Sequence, residues 1–177
     1  RVSVMDKAAF PDFIEKQYEA KNTNPAVLED AETRRVVHAI IDMLDRGELR
    51  VATPPKTGDN SGDTWRVNAW VKKAILMYFP MMGMQTSHSG DIEYWDKIPT
   101  KKNYAAQKVR VVPPAVARYG SFLEPGAIMM PSYVNIGAYV GGGTMVDTWA
   151  TVGSCAQIGQ HVHLSGASVL AVCLNRL

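Results

Sequence analysis

The sequence is short of cysteine, of charge of one sign and of long apolar runs. Its 177 residues hold two cysteines, Cys155 and Cys173, too few for a disulfide framework, so a reducing compartment is expected. A balance of 19 basic against 17 acidic side chains leaves a net charge of +2, which lacks the basic footprint of a nucleic-acid binder. The strongest apolar run, Ile75 to Phe79, falls far short of the roughly 18 residues that cross a bilayer, so no membrane partner is expected. No basic stretch leads into an apolar core at the start, so no secretory signal is read and a cytoplasmic setting is expected. What is present excludes general disorder: 46% of the residues are hydrophobic and 20% are charged, enough for a packed core.

The two halves are written in different patterns, which divides the chain at residues 1–109 and 110–177. In the first half the period is helical. Val36, Val37, Ile40, Ile41 and Leu44 share one helix face, with Asp30 or Thr33 as cap and Gly47 where a C-terminal glycine belongs. An earlier helix is predicted over Phe13 to Ala20, with Pro11 near its first turn. Glu48 to Ala52 reads as a strand, Thr53 to Asp63 as a loop, and Trp65 to Val67 as the partner strand. A third helix is expected over Ala69 to Phe79, followed by a loop from Pro80 to Gly90 in which Met81, Met82 and Met84 fill packing gaps.

After Arg110 the period becomes six. Val116, Phe122, Ile128, Val134, Val140, Val146, Val152, Ile158, Leu164 and Leu170 are bulky and evenly spaced. Four positions beyond each of the first nine stands a small or modest residue, from Gly120 and Gly126 through Ala150 and Ala156 to Ser168. A helix drifts off such a period, and an alternating strand does not sustain it. One short strand and one corner per hexad does sustain it. Three hexads then make a triangular coil, with the bulky residue pointing inward and the small one at the corner.

This hexad resembles that of the hexapeptide-repeat acyltransferases. The resemblance implies a left-handed parallel β-helix behind a mainly helical N-terminal domain, an α+β chain with roughly three coils. Closer likeness lies in Arg110-Val-Val-Pro-Pro, in Met130 to Val140, in Thr144 to Gly159 with its Met-Val-Asp-Thr-Trp run, and in Val162-His-Leu-Ser-Gly. These runs, together with Leu44 to Ala52 and Trp70 to Leu76, are similar to the tetrahydrodipicolinate N-succinyltransferase family. The implied activity is transfer of succinyl from succinyl-coenzyme A to the amine of ring-opened tetrahydrodipicolinate, in lysine and diaminopimelate biosynthesis. The implied assembly is a homotrimer with active sites between neighbouring β-helices. Succinyl-coenzyme A enters as co-substrate, and no permanently bound cofactor or metal is implied.

Two residues are candidates for the chemistry. Asp147 follows inward-facing Val146, so its side chain should leave the prism wall. By spacing alone it reads as a solvated carboxylate. The motif implies a catalytic role in which it engages the acceptor amine and takes its proton. Arg110 stands at the entrance to the coils, and its guanidinium suits a carboxylate of the dicarboxylate acceptor.

Other residues invite plainer readings. Gly141 to Gly143 lack the strand–loop–helix setting of a phosphate loop and read as a corner, where related sequences carry an acidic residue. His161 and His163 alternate across a short strand, which disfavours a shared metal, although the β-helix carbonic anhydrases keep zinc as a minor alternative. Cys155 reads as packed rather than nucleophilic.

Past Val162-His-Leu-Ser-Gly the likeness stops. In the family further coils follow, which carry a second catalytic carboxylate and most of the coenzyme A surface, so no coenzyme A residue is assigned and the chain reads as C-terminally truncated. The expectation is a weak or inactive enzyme if these residues act alone. An acetyltransferase of the same fold and a non-catalytic oligomerisation module are the competing readings.

Overall fold

The computed structural model describes residues 5–55 and 64–170. Most of the expected Thr53–Asp63 loop, as well as Cys173, lies outside the described residues.

Helix α1 (Phe10–Ala20) begins three residues before the expected start, because Pro11 occupies the first turn, where a missing N–H costs nothing. Helix α2 (Ala31–Asp45) is capped by Asp30, whose carboxylate accepts from the Thr33 amide at 2.8 Å and the Thr33 hydroxyl at 2.9 Å. It closes with paired bonds from Glu48 N–H to the Met43 carbonyl (2.9 Å) and from Gly47 N–H to the Leu44 carbonyl (3.0 Å). Gly47 sits at φ +73°, and a Cβ there would lie 2.6 Å from the Phe122 ring, so this cap needs glycine twice over. Strands β1 (Ala52–Thr53) and β2 (Arg66–Val67) pair antiparallel, as the sequence suggested, over a shorter length. Helix α3 (Ala69–Met81) packs on α1 and α2 and buries Val71, Ala74, Ile75, Met77, Tyr78 and Met81.

The expected loop from Pro80 to Gly90 is not a loop. The helix runs one residue past Pro80, where little of the hydrogen-bond ladder remains to be lost, and Met81 joins the core. Strands β3 (Gln85–Ser89) and β4 (Ile92–Asp96) then form an antiparallel hairpin around Gly90. Sequence reading missed it because its residues are all exposed and polar at most positions, so no alternating apolar face announces a strand. Arg118 ties the hairpin base to the coils by a 2.8 Å ion pair with Asp96.

From Arg110 onward the chain is a three-sided parallel β-helix of the left-handed hexapeptide type. Its strands are β5 (Arg110–Val111), β6 (Val116–Ala117), β7 (Phe122–Leu123), β8 (Ile128–Met129), β9 (Tyr133–Val134) and β10 (Tyr139–Val140). They continue as β11 (Met145–Val146), β12 (Thr151–Val152), β13 (Gln157–Ile158), β14 (His163–Leu164) and β15 (Val169–Leu170). They stack into three parallel sheets, ordered β14-β11-β8-β5, β15-β12-β9-β6 and β13-β10-β7.

The inward column differs from the expected one in its first three hexads. Ala117, Leu123 and Met129 point inward and are fully buried, whereas Val116, Phe122 and Ile128 stand on the outer face and are half-buried. The phase slips at Met129 to Val134, a step of five residues, so Ile128 pairs with Met145 at an offset of 17 while Arg110–Ile128 and Met145–His163 keep 18. An even spacing of bulky residues concealed the slip because the outer positions of the early hexads are bulky too.

In the true register each full hexad reads outer residue, inner residue, two corner residues, a left-handed residue and a small buried one. The left-handed positions include Gly120, Gly126, Gly137, Gly143, Trp149, Cys155, His161 and Ala167, all at φ between 55° and 86°. The small positions are filled by Ser121, Ala127, Ala138, Thr144, Ala150 and Ala156. Each buried inner side chain contributes about 1.5–3 kcal/mol, and this column is the second core of the molecule.

The helical core lies against the third sheet, with Ile136 and Cys155 included in it. Lys101 seals the junction: it is 3% exposed, and its Nζ binds the Asp45 carboxylate at 2.9 Å and carbonyl at 2.8 Å. No helix among the described residues is long and apolar enough to cross a membrane.

Candidate functional site

Parallel stacking in register aligns the outer residues of successive coils. On the β14-β11-β8-β5 wall that column is Arg110, Ile128, Met145 and His163, one above the other at strand spacings of about 4.8 Å. Asp147 stands just past β11 on the same wall, its own N–H bonded to the Leu164 carbonyl of the next coil at 3.0 Å. The structure therefore brings Arg110 and Asp147 to one wall, two strands apart, as neither position in the sequence alone could show.

Asp147 is held on both oxygens. Oδ1 accepts from the Thr148 amide at 2.7 Å, and Oδ2 pairs with His163 Nε2 at 2.9 Å. The His163 bond first, and then the Thr148 amide, hold its carboxyl below the ordinary range, so it is ionised at neutral pH. An ionised carboxylate has about four lone-pair directions, and those left over face solvent. Beside it Trp149 adopts the left-handed conformation at φ 59° and is 68% exposed, a flat apolar ring next to the anion. The Arg110 guanidinium makes no hydrogen bond or ion pair among the described residues.

The other candidates settle into structural places. Gly142 N–H donates to Glu124 at 2.6 Å within a corner, so the glycine run does not form a phosphate loop. His161 takes the left-handed corner, and His163 takes the outer column. No three His, Cys, Asp or Glu side chains are grouped to hold a metal ion among the described residues. Burial pushes the Cys155 thiol up to about 12, which makes it inert as a nucleophile near neutrality. It lines an apolar cleft of about 440 Å³ with Val51, Trp65 and Val67, which shares no lining residue with the Asp147 wall.

Sequence reading missed the Asp147–His163 contact. The signal was available in the coil length: His163 lies 18 residues after Met145, hence directly over it and diagonal to Asp147.

The coil and the outward acid on its wall define a hexapeptide-repeat protein. Residues 9–81 match the family model for the tetrahydrodipicolinate N-succinyltransferase N-terminal domain. The chain is 53% identical over 143 residues to a 2,3,4,5-tetrahydropyridine-2,6-dicarboxylate N-succinyltransferase of Polynucleobacter asymbioticus, covering 77% of this chain and 50% of that protein. It is 46% identical over 155 residues to the enzyme so named in Idiomarina loihiensis, covering 84% and 54%. Against that of Methylorubrum extorquens it is 41% identical over 175 residues, covering 93% and 60%. Over this length the chain is similar to the tetrahydrodipicolinate N-succinyltransferases. It spans about half the length of the curated relatives it matches.

Proposed function

We propose that this chain carries the acceptor side of a tetrahydrodipicolinate N-succinyltransferase, a cytoplasmic enzyme of lysine and diaminopimelate biosynthesis. Succinyl-coenzyme A is the donor, and the amine of the ring-opened dicarboxylate is the acceptor. The observation that carries this reading is the Asp147 carboxylate, ionised and doubly held on an open wall that also bears Arg110, unengaged among the described residues. Arg110 receives a carboxylate of the acceptor through its planar fork, and Asp147 binds the amine.

In the transfer, the amine nitrogen attacks the thioester carbonyl carbon. A C–N bond forms, the C–S bond breaks, and the one proton the amine gives up to Asp147 is the one the departing thiolate gains as the free thiol, which returns Asp147 to its ionised form. No covalent enzyme intermediate and no permanently bound cofactor is needed. The wall's exposed Trp149 and half-buried Ile128 and Met145 suit contact with a neighbouring β-helix, which supports a homotrimer with the site closed between subunits.

The test is Asp147→Asn. Thiol release from succinyl-coenzyme A in the presence of acceptor should fall about 10²–10⁴-fold. Calorimetric binding of an open-chain amino dicarboxylate should weaken about tenfold or more. Unchanged binding and turnover would reject the assignment.

A further inference from the structure

Asp147 stands at a corner, where a side chain reaching off a wall is free to rotate. Its geometry is nonetheless fixed, and the fixing group comes from a different coil. Main-chain pairing stacks β14 on β11 in register, Met145 against His163, so the His163 ring leaves the wall one strand above and reaches diagonally to Asp147 Oδ2 at 2.9 Å. An ionised carboxylate can only accept, so Nε2 is the nitrogen that carries the hydrogen. Thr148 N–H holds the other oxygen at 2.7 Å, and the two bonds together set the plane of the carboxylate. The His163 side chain is 62% exposed and has no other hydrogen-bond partner among the described residues, so packing does not account for its placement. The other ionisable side chains near this wall include Arg110, three strands away at the far end of the column, Lys108 at the corner before β5, and His161, at the corner before β14 with its ring over Gly143.

We propose that His163 is the positioning residue of Asp147, holding the carboxylate from the next coil so that its remaining lone pairs face the acceptor amine. The part of this statement that concerns the amine rests on the succinyltransferase reading; the part that concerns the carboxylate does not. The design has a physical rationale. A carboxylate tied at one oxygen to its own corner could still swing with that corner. Tying the second oxygen to another coil links the acid to the hydrogen-bonded ladder of the solenoid. His163 does this without touching the substrate.

The test compares His163→Ala with His163→Gln in the full 177-residue chain. Glutamine's side-chain N–H can stand in for the Nε2 donor, and both changes are at an exposed position that should not disturb folding. Carbon-detected NMR of the Asp147 carboxyl should show its titration moving to higher pH in the alanine variant and returning toward wild type in the glutamine variant. An Asp147 titration that stays put in His163→Ala overturns the proposal, whatever the enzyme does.

In the kinetic arm, His163→Ala should lower kcat with the acceptor about tenfold, leave KM for succinyl-coenzyme A unchanged, and be partly rescued by His163→Gln. Equal losses in the two variants overturn the positioning role. A moved titration in a parent chain that shows no calorimetric binding of an open-chain amino dicarboxylate upholds the hold on Asp147 and rejects the succinyltransferase reading instead.

Discussion

The wall formed by β7, β10 and β13 and the wall formed by β5, β8, β11 and β14 come from one repeating hexad, yet their outer side chains are engaged differently. On the first wall the helical layer lies over Phe122, Tyr139 and Gln157. Arg50 stacks 3.6 Å above the Tyr139 ring and donates to Gln157 at 3.0 Å. Tyr139 donates to Glu124, which also accepts from Gly142 N–H at 2.6 Å and from Gln160 at 2.9 Å. Each polar group there is used inside the chain. On the second wall Arg110 is unengaged among the described residues, and the Asp147–His163 pair keeps lone pairs toward solvent. The β-helix supplies the same outward geometry to both walls. Whether a polar side chain is tied inside the chain or left open to solvent depends on what lies over it.

That contrast can be broken at several points. The largest effect should come from the core that both walls share. Met129→Ala, at an inner position, should cost about 2–5 kcal/mol in denaturant unfolding. The neighbouring outer change Ile128→Ala should cost about 1 kcal/mol. Equal costs would mean that the phase slip after Met129 is wrong.

A smaller effect is expected on the open wall. Arg110→Lys keeps the charge but loses the planar fork, so KM for the acceptor should rise about tenfold with the fold intact. An unaltered KM would remove Arg110 from the site and make the open wall only a surface.

The smallest effect is electrostatic, and it should be confined to the covered wall. Burial pushes the Glu124 carboxyl up, but bonds from Tyr139, Gln160 and Gly142 and the charge of Arg50 outweigh it and hold it below the ordinary range. Its folded pKa is therefore below its unfolded one. Its stabilising contribution is present above the ordinary carboxylate value of about 4.3 and is lost as pH falls through the folded value. Glu124→Gln should flatten the acid limb of a stability-versus-pH curve. Asp147→Asn should change that limb less, because Asp147 is solvent-screened. The reverse order would contradict the division between a tied wall and an open one.

Much of the fold was legible before any coordinates. The apolar face of α2, its Asp30 cap and the Gly47 stop are local signals, and each acts within a few residues. The period of six identified the coils for the same reason, since every hexad repeats one strand and one corner. The hairpin at Gln85–Asp96 was not legible, because its strands pair across a turn and bury no face. Nor was the slip at Met129, since bulky side chains occupy both inner and outer positions around it. For the site, Asp147 was legible as an outward acid and Arg110 as a lone arginine near the entrance. Their shared wall, and the part played by His163, required the stacking register.

By itself, then, the sequence determined the two halves, the helices with their caps, the coil period and the outward direction of Asp147, because each of these depends on neighbours along the chain. The tertiary structure alone decided the inner register of the first coils, the covering of one wall by the helical layer, and the meeting of His163 with Asp147. Those outcomes depend on contacts between residues a full coil or more apart. There a one-residue slip exchanges inside for outside, and no local preference records which occurs.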